Sequence, residues 1–375
     1  MNRRFFLKQI AGYAASSGLS PLFLSCRKEC CCVDEKYSVA DFLKVPKIDV
    51  HVHYDILDDA YLTYANSIGM HIVSINTDYD ISPFDKQLDI VCTLQKQHPD
   101  MISFLGTFSV DDFGKDGFIE QIIDRIGWCM NAGAKGIKIW KNIGMTLQDK
   151  RGNCVMADNP AFAPVFAYLE KQGIPLMAHL GDPKNCWLPY DEMTTKGDMH
   201  YYQQNPQYHM YQHPEKPSYE QQILARDHLL ERYPKLPFVG AHIGSLEWNL
   251  DEVAKRFDAY PNFTVDVAAR IPYLQLHSFY NRKNLQSFLT KYQERFLFGS
   301  DVAFREMSVL DKTKEWQKRL YETWLEQWKF LATDNMVPSD YFMLESIPKK
   351  TKGLHLPRTI VDKIFYENAK RIFSI

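Results

Sequence analysis

The sequence predicts an α/β protein of the (β/α)8 class, a TIM barrel with a long loop after its fifth strand and extra C-terminal helices. Three observations lead there. Eight short β-rich runs alternate with amphipathic stretches from Lys47 onward. Most of these runs are almost continuously apolar, as parallel strands covered on both faces must be. No glycine-rich phosphate fingerprint follows any of them, which counts against the runner-up, an open doubly wound sheet.

In order, the strand runs are KIDVHVHY (47–54), HIVSINTD (71–78), MISFLGTFS (101–109), AKGIKIWKN (134–142), IPLMAHLGD (174–182), PFVGAHIGS (237–245), FTVDVAARI (263–271) and RFLFGSDV (295–302). Between them, stretches such as FIEQIIDRIGWCMNAG, FAPVFAYLEKQG and LEWNLDEVAKRFDAYP space their apolar residues three and four apart, the helical period. Several end in Gly or Tyr-Pro just before the next run, which is helix-stop punctuation. The distance from first to eighth run is near the roughly 250 residues such barrels occupy. Residues 182–216 form a polar, aromatic loop after the fifth strand, where barrel loops build the mouth, so a lid or specificity loop is expected. The tail holds a Trp-rich helix, KEWQKRLYETWLEQWKFLA, and a last helix, RTIVDKIFYENAKRIF.

Residues 1–26 read as an export signal and not as fold. Arg3 and Arg4 precede an apolar stretch too short to span a membrane, and a small residue stands before Cys26. RRFFLK resembles the twin-arginine signal, and FLSC resembles a lipoprotein processing site, with Phe23 where Leu is usual. Processing there makes Cys26 the lipid-anchored first residue. The expected location is outside the cytoplasm of a bacterium, periplasmic or membrane-anchored. Residues 27–46 read as a linker and 47–375 as one barrel domain. Cys26, Cys30, Cys31 and Cys32 are too closely spaced for a metal cage, while Cys92, Cys129, Cys154 and Cys186 read as buried free thiols.

The balance of 44 basic against 46 acidic residues leaves a net charge of −2 with no long charged block, which excludes nucleic acid as a partner. A compact domain acting on a small molecule fits better; a homo-oligomer stays open. His51 and His53 lie one residue apart on a strand and so share a face, an arrangement that suits a metal better than a packed core. At the C-terminal ends of the runs also lie Lys138, His179, His242 and Asp301. Barrel chemistry takes place at that end. A single histidine there is as easily a satisfied core residue, but four at converging strand tips favour a site.

DVHVH, the lysine after strand four, AHLGD, AHIGS, LFGSD and ENAKRIF together resemble the amidohydrolase superfamily, in its amidohydrolase-2 branch, over residues 47–373. That branch holds amino-carboxymuconate-semialdehyde decarboxylase and lactonases of sugar acids and pyrone dicarboxylates. The resemblance implies one divalent metal ion, Zn²⁺ first and Mn²⁺ second, held by His51, His53, His179 and Asp301. It makes His242 the catalytic histidine and gives Asp301 a second role as proton acceptor. In two-metal members the lysine after strand four is carbamylated and bridges the ions; this branch works with one. Lys138, Lys141 and Arg270 are then candidates for binding an anionic group of the substrate, and Asp182, Trp187 and Glu247 stand in mouth loops. The implied reaction is metal-dependent hydrolysis of a small lactone, ester or amide, such as a sugar-acid derivative. The alternative is metal-dependent non-oxidative decarboxylation of a small carboxylic acid.

Overall fold

The computed structural model describes residues 35–78, 83–305 and 315–375. The export signal, the lipid-anchor cysteine and the first part of the linker therefore lie outside the described residues.

Each expected run contains a strand: β1 (Lys47–Tyr54), β2 (Met70–Ile75), β3 (Ile102–Leu105), β4 (Ile137–Ile139), β5 (Leu176–Ala178), β6 (Phe238–Gly240), β7 (Phe263–Asp266) and β8 (Phe296–Leu297). Neighbours pair in parallel from β1 to β3 and from β4 to β8. A parallel bridge from Gly106 to Ile137 joins the two arcs, with Lys138 N donating to Gly106 O at 2.7 Å. On the other side Val50 N donates to Phe298 O at 3.0 Å, and a short strand β9 (Val302–Phe304) pairs in parallel with β1. The chain is thus traced strand to strand around a (β/α)8 barrel.

Alternation along the strands sorts the interior into layers. Ile48, Val50, Val73, Ile75, Leu105, Met177, Val239 and Leu297 make an apolar floor, closed from below by Ala369 and Phe373 of the last helix. Two residues further along come Thr77, just past β2, and His179, just past β5, so the apolar plug gives way to polar groups beyond the C-terminal ends. On β1 the alternation is broken. Ile48 and Val50 belong to the floor, yet His51 and His53 line the cavity above it. A register irregularity between Asp49 and Val52 permits this, and such bulges commonly re-aim side chains beside sites.

Residues 182–216 are more ordered than a plain loop. They carry the helix Lys196–Gln204 and several short 3-10 turns, around a small core of Cys186, Met193, Tyr202, Tyr208 and Met210. Thr195 caps the helix, accepting from Asp198 N at 3.2 Å. The Trp-rich helix Glu315–Ala332 buries Trp324 and Trp328 completely. Trp324 Nε1 donates to Asp49 Oδ2 at 2.9 Å, while Asp49 Oδ1 accepts from Ser300 N at 3.0 Å and His51 N at 3.2 Å. Asp49 therefore ties the first strand, the loop after the eighth and the C-terminal helix together, and burial pushes its pKa to about 6. Cys92, Cys129, Cys154 and Cys186 are free thiols, two of them buried.

Candidate active site

The strand tips deliver the histidines and Asp301 to one cup. The His51 and His242 rings are 4.6 Å apart between centroids, and those of His179 and His242 are 4.4 Å apart. Asp301 Oδ1 lies 3.4 Å from His51 Nε2 and 3.5 Å from His53 Nε2. One nitrogen each of His51 and His242 and one oxygen of Asp301 lie within 4.8 Å of one another. The structure thus gathers His51, His242 and Asp301 most tightly, with His53 against Asp301. His179 faces the same cup but spends Nε2 on Asp182 Oδ1 at 2.9 Å.

Backbone conformation sets the directions. Asp301 has φ 67°, and His242, Ile243 and Ser245 have φ 58°, 56° and 59°. Asp tolerates the left-handed region; a β-branched Ile does so at a cost that surrounding bonds must offset. They do. His242 N donates to Asp266 Oδ1 at 2.7 Å, Tyr219 Oη to Ser245 O at 2.5 Å, and the buried Arg226 guanidinium to Gly244 O.

Asp266, at the tip of β7, is the residue sequence reasoning missed. Its Oδ2 accepts from His51 Nδ1 at 2.7 Å, and its Oδ1 accepts from His242 N and from Ala268 N at 3.1 Å. The proton of His51 is thereby fixed on Nδ1, leaving an Nε2 lone pair toward Asp301. A carboxylate behind a histidine is the support expected of a metal ligand. His242 is oriented likewise, with Nδ1 donating to Ala268 O at 2.9 Å. Burial holds His51, His179 and His242 below the ordinary imidazole value, His179 at about 4. All three are therefore neutral at pH 7, the form in which an imidazole can ligate or accept a proton. Burial alone raises Asp301, but the hydrogen bond from the His53 side chain opposes it, and the carboxyl lies below its ordinary value. Imidazoles and an ionised carboxylate converging on one point fit a divalent ion such as Zn²⁺.

The cavity above the cluster measures about 1010 Å³ and is walled by Trp140, Tyr201, Tyr202, Tyr208 and Tyr273. Lys138, Lys141 and Arg270 all reach it, in different states. Lys141 Nζ donates to Asp182 Oδ2 at 2.6 Å and to Tyr201 Oη at 2.9 Å, and lies 4.7 and 4.6 Å from the Tyr201 and Tyr208 ring centroids. It fastens the residues 182–216 to the barrel. Asp182 is the hinge of that contact, and its other oxygen holds His179. Arg270 is buried with Nε 4.0 Å from Glu247 Oε2. Asp198, Asn185 and Tyr273 form a second fastening, with Asn185 Nδ2 donating to Asp198 Oδ2 and Tyr273 Oη at 2.7 Å each. Trp187 Nε1 is spent on Pro217 O at 3.2 Å. Lys138 is fully buried, and burial lowers its pKa to about 8 against the pull of Asp266 and Asp301.

A barrel with this constellation at its C-terminal mouth defines an enzyme class, and the comparisons give the family. The amidohydrolase family model matches residues 91–375, and the chain belongs to that family, whose members generally use a divalent metal. The matched span begins beyond His51 and His53, so those two rest on the geometry above. No curated protein matches the chain. Similar solved structures include a TIM-barrel protein from Bordetella bronchiseptica, at 15% identity over 84% of this chain and 81% of that one, with a TM-score of 0.45. The 2,6-dihydroxybenzoate decarboxylase of Rhizobium shares 14% identity over 88% of this chain and 99% of its own, with a TM-score of 0.48. The 4-oxalomesaconate hydratase of Rhodopseudomonas palustris shares 12% over 88% and 95%, with a TM-score of 0.43.

Proposed function

We infer that the protein is a metal-dependent hydrolase of a small lactone, ester or amide. The observation that carries this reading is the convergence of His51, His242 and Asp301 within 4.8 Å, with Asp266 fixing the proton of His51 away from the cluster. His51, His53 and Asp301 would hold the ion, with His179 as the further imidazole of the set. When bound, a divalent ion there supplies Lewis acidity and makes water a nucleophile near neutral pH. Asp301 is ionised and takes a proton from the attacking water. His242 carries its own proton on Nδ1, so its Nε2 receives the water's proton from Asp301 and passes it to the leaving group. The aromatic side chains lining the cavity orient the substrate.

One observation favours the second reading, non-oxidative decarboxylation. The cavity lining combines buried cations, Lys138 and Arg270, with several aromatic side chains, a mixture that suits a carboxylate on a flat ring. The ionised Asp301 beside a neutral His242 weighs for hydrolysis, because it provides a base for water. Purified, metal-loaded protein given panels of lactones, esters and aromatic acids, with released acid and CO₂ followed separately, decides between them. Acid without CO₂ supports hydrolysis; CO₂ from an acid that carries no hydrolysable bond overturns it.

A further inference from the structure

Two arginines are buried among the described residues, and only one of them is satisfied. Arg226 is 1% exposed and spends every nitrogen of its guanidinium. Its Nε and Nη2 donate to Asp227 Oδ1 at 3.1 and 2.6 Å, and its Nη1 donates to Gly244 O. Arg270 is 7% exposed and makes a single hydrogen bond, from Nη1 to Ala269 O at 3.2 Å. A guanidinium has five N–H donors and keeps its charge at any ordinary pH. Burying one without acceptors costs solvation that nothing inside the protein returns.

The neighbouring carboxylates do not fill the gap. Glu247 Oε2 lies 4.0 Å from Arg270 Nε, beyond hydrogen-bond reach, and both atoms are sealed without a partner. Asp198 is taken, its Oδ2 accepting from Asn185 Nδ2 at 2.7 Å and from Tyr273 Oη. Arg270 lines the cavity and Glu247 does not, so the guanidinium has its Nε edge against Glu247 and its Nη2, which donates to no described residue, open to the cavity. The turn that carries Arg270 also holds His242. His242 Nδ1 donates to Ala268 O and Arg270 N to Val267 O, both at 2.9 Å. An anion on Arg270 therefore stands at a set offset from the imidazole that handles the proton. Tyr202, Tyr208 and Tyr273 line the same cavity and give an apolar body somewhere to lie.

We propose that Arg270 is a specificity-determining residue that binds a carboxylate of the substrate, separate from the bond that is cleaved. The substrate class narrows accordingly, to lactones, esters or amides that carry a free carboxylate. The proposal rests on the reading of the cup as a hydrolytic metal site. A planar guanidinium matches a carboxylate in shape and charge, which makes it the natural acceptor-seeking group here. Glu247 balances the charge from the sealed side and leaves the donors toward the cavity free.

The test is calorimetric titration of the full chain, zinc-loaded, with benzoate and with benzamide as the uncharged match in shape. Benzoate has no hydrolysable bond and so reports binding alone. Metal content is measured in every sample. Benzoate should bind and benzamide should not. Arg270→Met should weaken benzoate by roughly ten- to a hundredfold at unchanged metal content, the range for a hydrogen bond to a charged group. Arg270→Lys keeps the charge without the planar fork and should fall between the two. Parent-like benzoate affinity in Arg270→Met, or a parent that does not bind benzoate, overturns the proposal. A crystal of the parent with 4-bromobenzoate, located by its bromine, decides the matter even if Arg270→Met fails to fold. A carboxylate on Arg270 supports the assignment; a carboxylate on the zinc or elsewhere overturns it. Failure of the hydrolase reading looks different: the parent then binds no metal, or releases CO₂ from an acid without a hydrolysable bond, whatever Arg270→Met does.

Discussion

Asp266→Asn isolates the support of the cluster from the cluster itself. The asparagine oxygen can still accept from His242 N and Ala268 N, now at 2.7 and 3.1 Å, so the left-handed turn after β6 is retained. The amide nitrogen takes the place of Oδ2, which now receives the His51 Nδ1 proton at 2.7 Å. Donor then meets donor. Asp266 and His51 are 0% and 1% exposed, so water cannot relieve the conflict. The escape is for His51 to move its proton to Nε2, which removes the lone pair that faces Asp301 at 3.4 Å. Loss of such a partner weakens metal binding by roughly ten- to a hundredfold, or about 1.4 to 2.7 kcal/mol. Zinc affinity by chelator competition, read beside a melting curve for the same sample, measures it. A folded Asp266→Asn protein whose zinc affinity equals the parent's would refute the assignment of Asp266 as the orienting group.

His242→Ala should keep its metal while turnover falls by about 10² to 10⁴-fold, whereas Asp301→Ala should lose metal affinity and activity together. If His242→Ala releases metal as readily as Asp301→Ala, His242 is a ligand and its proton role is withdrawn. Burial raises the Glu247 pKa from its ordinary 4.5 to about 7 despite Arg270. The folded state therefore holds that proton more tightly than the unfolded chain, and the contribution to stability is fullest below pH 4.5 and declines as pH rises through 7, by about 3 kcal/mol. Glu247→Gln should flatten denaturation midpoints over that window; a curve parallel to the parent's would show that Glu247 does not set it. For the leader, we propose that Arg3→Lys with Arg4→Lys retains the protein in the cytoplasm and that Cys26→Ser abolishes lipid labelling. Normal export in fractionated cells, or no label on the parent, removes the respective claim.

The strands were legible because parallel strands buried on both faces need little besides apolar, β-branched residues. The histidines were legible because four of them fall at the ends of such runs, where barrel strand tips converge. Asp266 was not, for a reason in the same physics: inside FTVDVAARI it reads as mid-strand, and only the stop of β7 at Asp266 makes it a tip. Strict alternation also gave the right face for His51 and His53 while missing the irregularity that puts Val50 on that face too. Lys141 could be placed at the mouth, but its capture by Asp182, Tyr201 and the ring of Tyr208 depends on a segment 40 to 70 residues away. Pattern carries no such information.

These misses share a cause, and it bears on how the site works. Its directions are set at positions where the backbone leaves ordinary conformations: Asp301, His242, Ile243, Ser245 and Ala269 all have positive φ. Each is unfavourable alone for a residue with a Cβ, by about 1–3 kcal/mol where nothing supports it. The compensation comes from buried groups distant in sequence, Asp266 under His242 and Arg226 under Gly244. The same Asp266 that holds the turn also fixes the His51 proton, so backbone strain and ligand tautomer are two consequences of one carboxylate. A substitution there should change metal affinity and the stability of the turn together when it removes both oxygens, as Asp266→Ala does, and metal affinity alone when it keeps the accepting oxygen, as Asp266→Asn does.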